Sequence, residues 1–357
     1  SHKSPDSLPE QAYVDCLIND LEHHLPEIWG RRLSSIFIGG GTPSLFSASS
    51  IDRLLSSIHA RMSCISDMEV TLEANPGTLE QGRFADFREA GINRLSIGVQ
   101  SFNEQHLTLL GRIHDSQQAC KAIDSALNAG FDNFNIDLMF GLPEQSIDQG
   151  IDDLEQALSF GSHHLSWYQL TLEPNTLFYS KPPKLPDDDS VAKLQDLGQQ
   201  LLQDHGFSQY EVSAYAQQGK HCRHNINYWE FGDYLAIGAG AHGKISRSDT
   251  QQIQRYWNLR QPQDYMAASG LSRISGQQTL DSQDIVFEFM LNALRLKQGF
   301  SQDTFQQHTG LSFSRVQPIC QQAIERGLMQ RTVDGFRPSD LGYRFLNDLV
   351  NLFAPAR

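Results

Sequence analysis

Two groups of residues in this chain have types and spacings suited to chemistry. The first is a series of polar or glycine-rich stretches, each at or just after a short apolar run. They are Gly39-Gly40-Gly41-Thr42-Pro43-Ser44, Glu73-Ala74-Asn75-Pro76-Gly77-Thr78, Gly98-Val99-Gln100-Ser101-Phe102 followed by Leu110-Gly111-Arg112-Ile113-His114, and Asn135-Ile136-Asp137-Leu138-Met139-Phe140-Gly141-Leu142-Pro143. Glycines let the backbone approach a ligand closely and expose amide donors or carbonyl acceptors. Glu73 ends an apolar run, where a carboxylate is costly unless it meets a cation, hydroxyls or donors, so it is expected to hold a ligand or a partner side chain. Asp137 sits inside another apolar run. Arg112 can pair with it across the mouth of a barrel or divide the polar groups of a cofactor with it, and spacing alone leaves both readings open. The second group is His221-Cys222-Arg223-His224-Asn225-Ile226-Asn227-Tyr228-Trp229. A histidine beside Tyr and Trp is either a hydrogen-bonded packing residue or an axial ligand of an iron porphyrin whose face the rings cover, and Cys222 is another soft donor.

The elements that must position these residues follow from periodicity. Short β-branched or apolar runs at Ser35–Gly39, Glu69–Ala74, Arg94–Val99, Asn133–Phe140 and His164–Thr171 read as strands. Helical patterns at Ala48–Met62, Leu79–Ala90, Asn103–Leu110, Ser116–Ala129 and Ile147–Ser159 alternate with them, which is the signature of a parallel sheet with helices outside. Gly91 and Gly130 each stand between a helix and the next strand, as a left-handed C-cap requires. Consecutive units favour an α/β fold built as a partial (β/α) barrel over a doubly wound Rossmann sheet. In a barrel the ligand site lies at the C-terminal strand ends, where the polar stretches fall.

Pro182, Pro183 and Pro186 before three aspartates mark a rigid connector, followed by a helix near Val191–His205 and a strand near Tyr210–Ala214. Gly238-Ala239-Gly240-Ala241-His242-Gly243 marks a tight backbone passage, and Ser246–Gln254 reads as a polar loop. From Asp284 the pattern becomes three helices (Ile285–Leu294, Gln302–Thr309, Phe313–Arg326), a two-stranded wing through Leu328–Arg337 and a last helix at Asp340–Phe353. The expected domains are therefore residues 1–245, a barrel with its extension; 246–280, a connector; and 281–357, a small, mostly helical winged-helix-like domain.

The 357 residues carry a formal charge of −14 and 39% hydrophobic residues, a composition that can bury a sizeable core. The acidic balance argues against phosphate-backbone binding, and the helix that would enter a groove offers only Arg315 and Arg326. No apolar run reaches the ~18 residues needed to span a bilayer, so the expectation is a soluble, cytoplasmic protein. Cys16, Cys64, Cys120, Cys222 and Cys320 are odd in number and far apart. They form neither a disulfide framework nor a short-spaced metal motif, and read as small apolar thiols in a reducing compartment.

In chain order, Gly-Gly-Gly-Thr-Pro, Glu-x-Asn-Pro, Arg-Leu-Ser-x-Gly-Val-Gln-Ser-Phe, Gly-Arg-x-His and Asp-Leu-Met-x-Gly-Leu-Pro-x-Gln resemble the radical S-adenosylmethionine (SAM) family of oxygen-independent coproporphyrinogen III oxidases and HemW-like heme chaperones. The likeness extends through Gln169-Leu170-Thr171-Leu172-Glu173-Pro174-Asn175-Thr176 and Tyr234–Gly243. The His-Asn-x-x-Tyr-Trp spelling is similar to that of the HemW-like members. The resemblance implies that Gly40, Gly41, Thr42, Glu73, Gln100, Arg112 and Asp137 contact SAM and that His224 ligates heme. It further implies a protein that binds heme and delivers it to acceptor hemoproteins such as respiratory enzymes, with homodimerisation compatible with the family. The alternative is a coproporphyrinogen III dehydrogenase that decarboxylates propionates by radical chemistry. A cluster-free scaffold or nucleic-acid regulator is a third class.

One departure stands out. The family holds a [4Fe–4S] cluster on Cys-x-x-x-Cys-x-x-Cys after its first barrel strand, and this chain carries neither that triad nor that strand. Ser1-His2-Lys3 resembles the stretch just downstream of the cluster loop. The expectation is that the loop belongs upstream of residue 1, and that the chain as it stands neither assembles the cluster nor cleaves SAM.

Overall fold

The structure is a computed structural model that describes residues 9–77, 82–174, 176–247 and 249–355. The expected helix start at Leu79 and the Ser1-His2-Lys3 opening lie outside those residues. The chain forms two compact units: Ser35–Asp52 with Asp67–Cys222, and Ser1–Ser34 with Arg53–Ser66 and Arg223–Arg357.

The first unit is built on a curled, half-barrel sheet. Its strands are β1 (Arg32–Ile38), β2 (Ser63–Ala74), β3 (Arg94–Gln100), β4 (Phe134–Phe140), β5 (His164–Gln169), β6 (Ser208–Glu211) and β7 (Ala214–Ala216). They lie in the order β1-β2-β3-β4-β5-β7-β6, and β2 through β5 pair in parallel. The order never reverses along these strands, which decides against the doubly wound alternative. Residues 210–214, expected as one strand, are instead split by a turn at Val212 and Ser213 between β6 and β7, which pair antiparallel. Glu211 makes that turn by accepting both the amide and the hydroxyl of Ser213, as short polar side chains do in turns.

Helices α2 (Ala48–Arg61), α3 (Phe84–Glu89), α4 (Glu104–Leu109), α5 (Ser116–Asn128), α6 (Ile147–Ser159) and α7 (Asp188–Asp204) fill the connections. Asp115 with Gln118 and Ser146 with Gln149 form capping boxes at the starts of α5 and α6, satisfying amides that no helical carbonyl reaches. Gly91 and Gly130 follow α3 and α5 with φ of 105° and 82°, the left-handed backbone expected there. On the helix-covered side of the sheet, Leu95, Ile97, Ile136, Leu138 and Leu165 are fully buried and Trp167 nearly so. The opposite face of the same strands carries Ser96, Gly98, Asp137, Met139, Ser166 and Tyr168, all partly exposed. Strand alternation therefore separates an apolar core from a polar, ligand-accessible lining.

The second unit holds α1 (Glu10–His24), α8 (Arg223–Trp229) and a three-stranded antiparallel sheet of β8 (His242–Arg247), β9 (Gln252–Asn258) and β10 (Ile274–Thr279). Much of Ser246–Gln254 is thus strand rather than loop. At the glycine-rich passage Gly238 has φ 111°. Its amide lies 3.1 Å from the Tyr265 hydroxyl and 3.3 Å from Asp20 Oδ2, so α1 pins that turn. Beyond it come α9 (Ser282–Ala293), α10 (Gln302–Thr309), α11 (Gln317–Glu325), α12 (Asp340–Arg344) and α13 (Leu346–Asn351). Beside them β11 (Phe300–Ser301), β12 (Met329–Arg331) and β13 (Gly335–Pro338) form a small sheet in the order β11-β13-β12. The last expected helix is two: Phe345, at φ −108° and ψ 48°, leaves helical geometry between α12 and α13. Phe289, Phe305, Phe313, Val316, Cys320 and Leu349 anchor this region's core. No helix among the described residues is long and apolar enough to cross a membrane.

Candidate functional site

The C-terminal ends of β1 to β5 converge within the first unit. After β1 the chain turns through Gly40 and Gly41 at φ 86° and 67°, with open space where a Cβ would stand on either. The Gly40 amide donates to Glu73 Oε2 at 3.0 Å, which is the donor a carboxylate in that place requires. Burial still pushes the Glu73 carboxyl above the ordinary carboxylate range, with Asp137 adding to the shift. A Cβ on Gly39 would lie 2.5 Å from the Phe37 ring and 2.9 Å from Glu73 Cδ, so only glycine leaves room for this carboxylate.

Gln100 ends β3 at a register shift against β4, with φ 74°. A non-glycine residue there is held in a sparsely populated conformation at a cost of about 1 kcal/mol or more. Its side chain is 5% exposed and its Oε1 accepts the Tyr168 hydroxyl at 2.6 Å. Burial pushes the Tyr168 hydroxyl up to about 12, with the charge of Asp137 acting in the same direction. The Gln100 amide is thus aimed by a tyrosine that keeps its proton at neutral pH. Gly98 keeps the neighbouring surface flat, since a Cβ on it would stand 3.0 Å from Gln100 Nε2.

Asp137 lines the same face on β4. Asn135 Nδ2 donates to its Oδ1 at 2.7 Å and Ser96 Oγ to its Oδ2 at 3.1 Å. Burial raises its carboxyl above the usual range despite those donors, and despite Ser166 and the charge of Arg94. Among the described residues no ion pair joins Asp137 to Arg112, so the pairing left open by the sequence is not made; Arg112 is exposed. Its loop is anchored by His114, whose buried Nε2–H donates to the Val99 carbonyl at 3.1 Å. Burial lowers the His114 pKa and so favours the neutral ring. Thr42, half-buried, opens the short helical turn Pro43–Leu45.

A second support comes from α6. Asp153 accepts the Ser101 hydroxyl at 2.7 Å and the Phe102 amide at 2.6 Å, fixing the turn that follows Gln100. Its carboxyl is 3% exposed and is raised by burial to about 6. The folded protein therefore binds this proton more tightly than the unfolded chain, whose aspartates titrate near ~3.9, and its contribution to stability falls as pH rises from about 4 to about 6. Asparagine reproduces the protonated pattern, accepting from Phe102 and donating to Ser101. Asp153→Asn is expected to gain on the wild type by up to about 3 kcal/mol between pH 4 and pH 7, read from urea unfolding at each pH. A pH-independent difference would show that Asp153 does not titrate there.

The structure thus brings Gly40, Gly41, Glu73, Gln100 and Asp137 to one mouth, with Thr42 and Arg112 on adjoining turns. It adds Ser96, Asn135, Ser166, Tyr168, His114 and Asp153, to none of which sequence reasoning gave a role. The signal for three of them was present as period-two polarity: Asn135, with Asp137, on β4 and Ser166 and Tyr168 on β5 put polar groups on one face of otherwise apolar strands.

His224 lies on α8 in the other unit and is 9% exposed. Its ring meets Tyr228 edge-on at 6.3 Å, Tyr228 meets Tyr234 edge-on at 4.7 Å, and Arg295 covers Trp229 at 4.2 Å. One imidazole among aromatic rings is a donor set that suits a porphyrin iron. The mouth of the half-barrel likewise suits SAM: two carboxylates complement its sulfonium and ammonium charges and ribose hydroxyls, and the glycine turn leaves the backbone accessible. A cluster has no such fit, because among the described residues no three cysteines gather at one point.

A singly wound half-barrel with this polar mouth defines a protein of the radical SAM class. Residues 17–157 match the radical SAM superfamily and residues 280–345 match the HemN C-terminal domain. The fold is that of coproporphyrinogen III oxidase (HemN) from Escherichia coli, with a TM-score of 0.77 at 21% identity over 96% of this chain and 83% of that one. In sequence the chain is 45% identical to "heme chaperone HemW" of Escherichia coli over 99% of its own length and 92% of the relative's. It is 45% identical to the protein of that name from Haemophilus influenzae, with the same coverage, and 31% identical to that of Bacillus subtilis over 97% and 92%. The chain belongs to the HemW family of the radical SAM superfamily.

Proposed function

We propose that this protein is a heme chaperone: it binds heme and hands it to acceptor hemoproteins, and its radical SAM half-barrel governs that state rather than turning over a substrate. The observation that carries the reading is the His224-Asn225-Ile226-Asn227-Tyr228-Trp229 helix, in a chain 45% identical over nearly its whole length to proteins named heme chaperones. In this reading His224 is an axial heme ligand, and Tyr228 and Trp229 supply aromatic surface. SAM lies against Gly40, Gly41, Thr42, Glu73, Gln100, Arg112 and Asp137. When bound, SAM would supply the reactive sulfonium; this chain's own residues bind and orient the ligand and hold its charges. Because His224 is mostly covered, heme entry requires its neighbours to move.

The test is a heme titration of the full-length protein with its cluster reconstituted, followed by absorbance. Saturable binding is expected in the wild type, with affinity lower by about tenfold or more, roughly 1.4 kcal/mol, in His224→Ala. Unchanged affinity and spectrum in the variant would remove His224 from the site. No binding in either protein would overturn the chaperone reading and make coproporphyrinogen turnover the next assay.

A further inference from the structure

The polar lining of the half-barrel does not stop at Asp137. Strand register places Ser96 beside Asn135, Asn135 beside His164, and Asp137 beside Ser166, so three strands present their polar side chains in adjoining rows. Asn135 is buried and all its hydrogen-bonding capacity is used. Its Nδ2 donates to Asp137 Oδ1 at 2.7 Å and to Ser96 Oγ at 2.9 Å, and its Oδ1 accepts from His164 Nδ1 at 2.6 Å and from Ser166 Oγ at 3.1 Å. On its far side, His164 Nε2 lies 2.9 Å from the Tyr210 hydroxyl, and that hydroxyl is 3.4 Å from the backbone amide of Cys222. His164 is 1% exposed and Tyr210 6%.

The donor and acceptor roles in this row follow one from another. Asp137 Oδ1 accepts whether or not Oδ2 carries a proton, so Asn135 presents its amino group to it and its carbonyl to His164. His164 then carries its proton on Nδ1, and its Nε2 accepts from the Tyr210 hydroxyl. Tyr210 in turn uses its oxygen to accept the Cys222 amide. Every bond from Cys222 to Asp137 points the same way. Such chains polarise cooperatively in a low-dielectric interior, so a change in acceptor strength at one end is felt at the other.

We infer that Asn135 and His164 are positioning residues for Asp137, and that this row carries ligand occupancy at the barrel mouth to the amide of Cys222, two residues before His224. A ligand hydroxyl that takes up lone pairs of Asp137 weakens its hold on Asn135, and the links through His164 and Tyr210 readjust in sequence. Coupling of this kind is reciprocal, so whatever perturbs the Cys222 amide alters affinity at the mouth by the same factor. The consequence for heme rests on the reading given above; the row itself does not.

Hydrogen exchange separates the two. In the full-length, cluster-reconstituted protein without heme, SAM is expected to change exchange several-fold in peptides containing Cys222. Tyr210→Phe removes a single hydroxyl, and should lose that response at SAM concentrations that saturate the variant. His164→Leu should lose the response as well, and His164→Gln, which offers a donor and an acceptor in place of the two ring nitrogens, should restore it. A wild-type protein whose Cys222 peptides ignore SAM, or a Tyr210→Phe variant that responds like the wild type, would overturn the inference. Because no heme is present, failure of the chaperone reading leaves this outcome legible, and a heme site that ignores SAM would sink only the coupling.

Discussion

Asp137→Asn should weaken SAM binding by about 100-fold, roughly 3 kcal/mol, while leaving the ligand-free protein at least as stable as the wild type. The loss follows from the role proposed for this carboxylate at the mouth, where hydrogen bonds to an ionised acceptor are stronger than those to an amide. The stability result follows from burial, which raises the Asp137 carboxyl above its unfolded value despite its hydrogen bonds. The folded state holds that proton more tightly, so the aspartate's contribution is greatest below the ordinary carboxylate pKa and declines as pH rises through and beyond it. Asparagine, isosteric and neutral, removes the decline. Equilibrium dialysis with SAM on the full-length protein and urea unfolding at pH 7 give the two readouts. Wild-type SAM affinity would remove Asp137 from the ligand site, and a large loss of stability would mean that its hydrogen bonds outweigh its desolvation.

The second large effect is expected at Gly198 on α7. A Cβ built there would stand 2.2 Å from Trp167 Cη2 and 2.9 Å from Leu154 Cδ1. Trp167 cannot yield cheaply: it is 1% exposed and packs on Phe140 with ring centroids 4.3 Å apart. Gly150 on α6 serves the same contact, since its Cβ would meet Leu194 of α7 at 2.6 Å. Gly198→Ala is therefore expected to cost about 3 kcal/mol despite the gain in helix propensity. Gly82→Ala, with nothing within 4 Å of the new methyl, should stay within about 0.5 kcal/mol. Denaturant unfolding of the two variants decides; equal stabilities would mean that α7 rests on the sheet more loosely than its packing indicates.

Most of the half-barrel was legible because its signals are local. Apolar runs fix β1 to β5, capping residues start α5 and α6, and Gly91 and Gly130 mark the returns. The second unit's antiparallel sheet was not legible. Gln252, Gln254 and Arg255 give β9 a polar spelling, and β10 has only one apolar residue, Ile274, in a largely exposed strand. In β10, long-range pairing rather than burial of the strand itself holds the residues extended. No glycine or proline announces the break at Phe345. At the site, Glu73 and Asp137 stood out as carboxylates in apolar runs. The row through Asn135, His164 and Tyr210 depends on the register of separate strands, which no local pattern contains.

The left-handed backbone at Gln100 sets stability and recognition against each other at a single codon. Glycine would relax the strain at once but would delete the amide that Tyr168 aims. A library of variants selected for heat resistance should drift toward glycine at this position, whereas one selected for ligand capture should retain glutamine. The split between the two pools would measure, without any structure of a complex, how much of this residue's cost is repaid by what it holds.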